Sequence, residues 1–294
     1  MSEQPAPDRS GHVEGDGHRI YWEYFGRGDR EAICLLNGVG MHTAAWYGFL
    51  PRLLPEYDVL LYDYPGQGRS TALDVPYFID RFGAYLTLIA DSLSLARFHL
   101  MGISYGGFVA LDYARQYQDR LHTLTVSGIL LSHEELFGMY QELSLRFYRS
   151  GPQVFEIYTH YMYEKIFGET FVRAVKPKLE KMRAGFHERW KDKLHGLVRL
   201  TEAQNPFFER LDANLHGYRA IRTPALIMAG AEDRAIPPWV QRKLAGILQN
   251  ARFELVHDSG HVVYIEQPDL FFSNLLSFAR AKSLHAFETA VEAT

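Results

Sequence analysis

RFHLMGISYGGFVALDYA, residues 97–114, carries an apolar run, Phe98-Ile103, into Gly102-Ile103-Ser104-Tyr105-Gly106 and then, past Gly107, into a segment of helical period. A strand that turns this sharply into a helix lifts the residue at the corner clear of both elements. The glycines follow from that geometry, because the helix and the neighbouring strands pass too close for side chains at Gly102 and Gly106. Ser104 is therefore expected at an accessible corner, its hydroxyl free to attack. The N–H of Tyr105, in the first turn of the helix, is expected to point toward any anion forming beside Ser104.

Outward from this corner, short runs rich in branched residues recur: Ala32-Leu36, Val59-Tyr62, Phe98-Ile103, Thr123-Ser127, Ala225-Ala229 and Phe253-Val256. Segments of helical length, such as Ile79-Ser94 and Phe108-Tyr117, separate most of them. Continuous apolar strands alternating with helices predict an α/β protein, a mostly parallel central sheet with helices on both faces. His18-Tyr24 alternates in polarity and is expected to be an antiparallel edge strand. Residues 1–12, polar and with two prolines, are expected to be a flexible tail. No strand pattern occurs from Ser132 to Ala220, an interval too long for one loop of a compact domain. It predicts a helical insertion over 132–220, sitting over one edge of the sheet, with 13–131 and 221–294 forming the core around the sheet.

A serine hydroxyl needs a base to become a nucleophile near neutral pH. In chains with this corner motif the partners follow in the order Ser, Asp or Glu, His. The run TPALIMAG ends in Ala231-Glu232-Asp233-Arg234, and RFELVHD ends in Ser259-Gly260-His261. Both sites lie just past the carboxyl ends of predicted parallel strands, where catalytic groups collect in open α/β sheets. His261 is expected to be the general base and acid, and Asp233 its orienting carboxylate. Glu232 and Asp258 compete with Asp233, and His257 competes with His261.

Composition closes off other classes. Among 294 residues, 31 Lys and Arg face 35 Asp and Glu, a formal charge of −4 that offers no general field for a polyanion such as nucleic acid. The single cysteine, Cys34, excludes a disulfide framework and any multi-cysteine metal site, and its apolar surroundings make it a core residue. Thirteen histidines show no HExxH or HxH spacing, so no metal site is expected. No stretch approaches a membrane span, and the polar N-terminus lacks the apolar core of a signal peptide. A cytoplasmic location is expected.

At this point the chain resembles the α/β-hydrolase fold superfamily, in particular capped serine esterases and lactonases, over about residues 18–131 and 221–280. The resemblance extends to Asp63-Tyr64-Pro65-Gly66-Gln67-Gly68-Arg69-Ser70, similar to that family's D-x-x-G-x-G-x-S turn, and to Leu35-Leu36-Asn37-Gly38-Val39-Gly40. It implies that 132–220 is a helical cap inserted between strands 6 and 7. It also implies that the Val39 N–H joins that of Tyr105 in an oxyanion hole, with Asn37 standing where a histidine is commoner. Lactonases of the enol-lactone type are similar through the same loop and Trp46. Members using a carboxylate nucleophile are excluded by Ser104. Carbon–carbon bond hydrolases are disfavoured by Ile103 before the serine and Val262 after His261. The implied activity is hydrolysis of a carboxylic ester or lactone with an apolar acyl part of small to medium size, without metal or organic cofactor. An acyltransferase or thioesterase on carrier-bound acyl chains, and a non-catalytic ligand receptor, are the rival expectations.

Within 132–220, Tyr158, Tyr161 and Met162 are spaced to share a helix face with Phe155. The stripe is expected to pack the inserted helices onto the main domain; as the alternative, part of it lines an acyl pocket, and with Asn37, Gly38 and Val262 these are the candidate substrate contacts. Between Arg173 and Lys193 eight basic residues, Arg173, Lys176, Lys178, Lys181, Arg183, Arg189, Lys191 and Lys193, face three acids, Glu180, Glu188 and Asp192. A solvated helix face is the expected reading, and a docking patch for an acidic carrier protein is the alternative.

Overall fold

A computed structural model describes residues 5–289. Eight strands form one sheet: β1 (Arg9–Gly15), β2 (His18–Phe25), β3 (Ala32–Leu36), β4 (Asp58–Tyr62), β5 (Phe98–Ile103), β6 (Leu121–Ser127), β7 (Ala225–Gly230) and β8 (Ala251–Val256). Their spatial order is β1-β2-β4-β3-β5-β6-β7-β8. The pairs β1/β2 and β2/β4 are antiparallel and all others are parallel, so the expected α/β-hydrolase sheet is present.

Every residue of β3, β4, β5 and β7 is buried, as central parallel strands covered on both faces must be. The alternation of side chains divides the core in two. Ala32, Cys34 and Leu36 of β3 face a cluster built with helices 79–92, 105–117 and 238–247. Ile33 and Leu35 face the other, built with Trp46, Leu50 and helix 268–281. Cys34 is fully buried, which pushes its thiol pKa well up and leaves it unreactive.

Two expectations about the N-terminus need correction. Arg9–His12, expected to belong to a flexible tail over 1–12, instead form the first half of β1, running from Arg9 opposite Tyr24 to His12 opposite Tyr21. His18–Phe25 is consequently antiparallel, as expected, but internal rather than an edge. The sequence RSGHVEG hid this strand because only alternate residues are even partly covered, as suits an outer strand. Its pairing is supported by partners elsewhere: the Arg9 guanidinium sits 4.5 Å over the Tyr24 ring. Residues 1–4 lie outside the described residues.

Between β6 and β7 the chain forms seven α-helices, 135–149, 152–166, 169–175, 179–190, 194–202, 204–209 and 211–219, and no strand. Tyr148, Phe155, Tyr158, Met162, Phe167 and Trp190 belong to a third apolar cluster, separate from the two on the sheet. The last part behaves differently: Leu200, Ala203, Phe207, Leu211 and Tyr218 join the sheet's own core. In the basic stretch, Arg173, Arg183 and Lys191 form surface ion pairs with Glu169, Glu180 and Glu188, all within one helical turn. Such exposed pairs contribute little to stability.

Candidate active site

The carboxyl ends of β3, β5, β6, β7 and β8 lie along one edge of the sheet, and the expected site residues leave the sheet there. Ser104 follows β5 directly, with φ 49° and ψ −120°, a conformation that costs an ordinary residue on the order of 1–3 kcal/mol. Two close approaches surround it. A side chain begun at Gly102 would come within 2.3 Å of the Gly106 carbonyl oxygen, and one at Gly106 within 2.5 Å of the Leu36 carbonyl oxygen. The corner is thus clamped between its own helix and β3, and the Ser104 N–H donates to the Ser127 carbonyl of β6 at 2.8 Å.

Asp233 is 3% exposed and fully engaged. Its Oδ1 accepts the N–H groups of Ala235 (2.9 Å) and Ile236 (2.8 Å). Its Oδ2 accepts the Gln241 amide (2.9 Å) and His261 Nδ1–H (2.8 Å). With the Nδ1 proton given to a carboxylate, the Nε2 lone pair of His261 is left free to act as a base. Burial works against the imidazolium of His261. The charge and hydrogen bond of Asp233, assisted by Glu266, outweigh that and hold its pKa above the ordinary histidine value.

The competitors are used elsewhere. Glu232 accepts the Glu169 N–H at 2.6 Å and Asp258 accepts the Thr170 hydroxyl at 3.2 Å. His257 is exposed, whereas His261 is 8% exposed.

Ser104 and His261 line the same cavity, of about 280 Å³, together with Gly38, Val39 and Tyr105. Tyr105 is the first residue of its helix, so its N–H has no acceptor within that helix. Tyr158, Met162 and Val262 also line this cavity, as expected of substrate contacts.

Two expected substrate contacts are placed elsewhere. Asn37 is fully buried and turned inward: its amide donates to the Tyr62 carbonyl (2.9 Å) and accepts from Trp46 Nε1 (2.7 Å). An amide can satisfy both a donor and an acceptor, and here it anchors the start of the loop that carries Gly38 and Val39. Tyr161 lines a different, outer groove, because one residue of offset from Met162 turns a helical side chain by about 100°.

Gln241 has no local motif and was not anticipated. It is fully buried on helix 238–247 beside Val240 and Leu244, and a polar residue on an apolar stripe was the available signal. Its amide donates to Asp233 and to the Ile236 carbonyl (2.7 Å), while its Oε1 accepts the Gly128 N–H (2.9 Å). Equally unforeseen is the hold of the inserted helices on the histidine loop. His261 N–H donates to the Ile166 carbonyl (2.7 Å), and Glu266 accepts the N–H groups of both Gly168 (2.7 Å) and Gly260 (3.0 Å).

Among the described residues no cluster of three or more His, Cys, Asp or Glu could hold a metal ion, and no helix is long and apolar enough to cross a membrane.

Residues 31–268 match the model of a family described as the alpha/beta hydrolase fold. Over 260 residues the chain is 29% identical to a Pseudomonas syringae protein provisionally named carbamate hydrolase RutD, spanning 85% of this chain and 94% of the relative. It is 26% identical over 277 residues to the 2-hydroxy-6-oxononadienedioate/2-hydroxy-6-oxononatrienedioate hydrolase of Paraburkholderia phymatum, 88% and 90% of the two chains. Among solved structures it resembles MGS-M2, an alpha/beta hydrolase enzyme from a Medee basin deep-sea metagenome library. That match has a TM-score of 0.85 at 24% identity and covers 97% of this chain and all of the other.

Proposed function

Since the chain belongs to the alpha/beta hydrolase fold family, we propose that it is a serine hydrolase that cleaves a carboxylic ester or lactone with an apolar acyl part. The observation that carries this reading is the buried Asp233–His261 pair, whose histidine lines the cavity that also holds Ser104 at its strained corner. In the proposed reaction, His261 Nε2 takes the hydroxyl proton as Ser104 Oγ bonds to the carbonyl carbon. The N–H groups of Val39 and Tyr105 hold the resulting oxyanion. As the tetrahedral intermediate collapses, the leaving alkoxide takes the proton back from His261, and an acyl-serine remains. Water then repeats the cycle and frees the acid. The helices over 132–220 serve as the cap that closes the cavity, and no metal or organic cofactor takes part.

The aromatic and apolar cavity wall, with Tyr158, Met162, Phe167 and Val262 on it, supports an apolar acyl group. The name of the Pseudomonas syringae relative favours a second reading, the same attack on a carbamate carbonyl with nitrogen as the leaving atom. A fluorophosphonate probe tests the shared core of both: stoichiometric label on Ser104 is expected, and an unlabelled serine would overturn the proposal. A panel of esters, lactones, acyl thioesters and carbamates then separates the substrate classes. Preference for the carbamate would replace the first reading by the second.

Gln241 is assigned a positioning role through Asp233. Gln241→Leu removes a donor to a buried carboxylate, an interaction worth roughly 1.5–3 kcal/mol. If that loss falls on the transition state, kcat drops about 10- to 100-fold with KM little changed. A purely structural role would lower the melting temperature and leave kcat of the folded fraction intact, so both are measured.

A further inference from the structure

A second, larger groove of about 840 Å³ lies between helices 135–149 and 238–247, outside the cavity that holds Ser104. The two spaces share a wall: Phe137, Tyr140, Ala235 and Ile236 line both. The outer rim carries large apolar side chains in water, with Leu136 77%, Met139 64% and Trp239 66% exposed. Exposed apolar groups gathered at the mouth of a pocket mark a binding surface rather than ordinary surface scatter.

The charges around the groove describe its occupant. Its lining holds three acids, Glu134, Glu135 and Glu142, and three bases, Arg146, Lys165 and Arg234. Most of these are paired with neighbours: Glu134 with Lys243, Glu142 with Arg146, and both Lys165 and Arg234 with Glu164. A balanced, mutually paired rim provides no field for an ionic ligand, whereas the apolar floor and rim favour a hydrocarbon chain. The inner cavity, at about 280 Å³, lies at the lower edge of the usual range for small-molecule sites, so a long acyl group must leave it. The shared wall of Phe137, Tyr140, Ala235 and Ile236 is where such a chain would pass.

We propose that this groove binds the distal part of a long, uncharged acyl chain whose carbonyl end lies at Ser104. The substrate class is then an ester of a medium- to long-chain apolar acid, longer than the inner cavity alone suggests. This deepens the hydrolase reading and rests on it for the position of the carbonyl, though the groove's affinity for a hydrocarbon chain can be measured without turnover.

The first arm of the test is binding to the full chain. 12-Bromododecanol, a heavy-atom quencher on a hydrocarbon chain, should quench tryptophan emission in a saturable way, and Trp239→Phe should abolish most of that quenching. Absence of quenching attributable to Trp239 overturns the inference whatever the enzyme hydrolyses. Quenching without hydrolysis of any ester, lactone, thioester or carbamate leaves the groove supported and overturns the hydrolase reading instead.

The second arm is the ratio of kcat/KM for p-nitrophenyl dodecanoate over p-nitrophenyl butyrate, in wild type and in Met139→Glu/Trp239→Ser. Both positions are mostly exposed, so the fold should tolerate the changes. Each methylene withdrawn from apolar contact is worth about fourfold, so losing two or more should lower the ratio about tenfold or further. An unchanged ratio overturns the inference. So does a wild-type dimer that Met139→Glu/Trp239→Ser dissociates, since the rim would then be a contact between two copies.

Discussion

Ser104→Ala is expected to lower kcat toward a short ester by on the order of 10⁶, with the fold intact. The alanine keeps the strained backbone, the glycine clamp and the Tyr105 N–H, so the cavity and the proposed oxyanion donors survive. What disappears is the proposed nucleophile. Thr201 and Ser144 also line the cavity, but both sit within helices rather than at the carboxyl end of a strand. The residual rate should still exceed the uncatalysed one, by on the order of 10³–10⁴, through oxyanion stabilisation and binding alone. Initial rates on p-nitrophenyl butyrate, with thermal unfolding as the control, check this. Near-wild-type activity would remove Ser104 from the mechanism. Because the proposed groups act as a unit, adding Asp233→Asn to Ser104→Ala should cost almost nothing further.

Asp233→Asn alone is expected to cost on the order of 10⁴ in kcat, for a reason found in its hydrogen bonds. The Oδ1 position receives two backbone N–H groups, from Ala235 and Ile236, so an asparagine must place its carbonyl oxygen there. Its NH2 group then takes the Oδ2 position and faces His261 Nδ1. Gln241 cannot turn over to compensate, because its Oε1 is committed to the Gly128 N–H. The imidazole is driven to the tautomer protonated on Nε2, and that nitrogen can no longer accept the serine proton.

The pH profile moves in a definite direction. In the proposed mechanism the active form has neutral His261, and its pKa is raised, so the acid limb of kcat/KM should lie above pH 6.5, the ordinary histidine value. In Asp233→Asn the two raising influences of Asp233 vanish while burial, which lowers the pKa, remains. The limb should therefore shift to lower pH as the plateau falls. A limb that stays in place would show that Asp233 does not set the protonation of His261.

What could be read along the chain and what could not divide by the range of the forces involved. The corner at Ser104 was legible because its determinants are contiguous: an apolar strand, two glycines at close approaches and a helix. The parallel sheet was legible because β3, β4, β5 and β7 are buried on both faces and so lack polar interruptions. Asp233 and His261 could be nominated because strand ends can be located and the order of partners is restricted. Asp233 is already preferred to Glu232 from the sequence, and the structure adds the geometry: Asp233 meets His261 Nδ1 while Glu232 is turned to the Glu169 N–H. Tyr161 and Met162 were separated by the same circumstance, one step around a helix.

Sequence by itself thus determined the α/β architecture, the serine corner and a short list of partners, because each depends on local sterics and on burial patterns within a dozen residues. Tertiary structure alone decided the rest. The outer strand β1 exists through its pairing with β2, not through any apolar pattern of its own. Gln241 matters because folding brings it to Asp233 and Gly128, and Asn37 is withdrawn from the cavity by Tyr62 and Trp46. The grip of Ile166 and Gly168 on the loop of His261 joins segments nearly a hundred residues apart. The backbone bond from His261 to Ile166 carries no side-chain signature, and the Glu266 carboxylate that receives Gly168 and Gly260 sits in no motif, so nothing in the order of residues announces either.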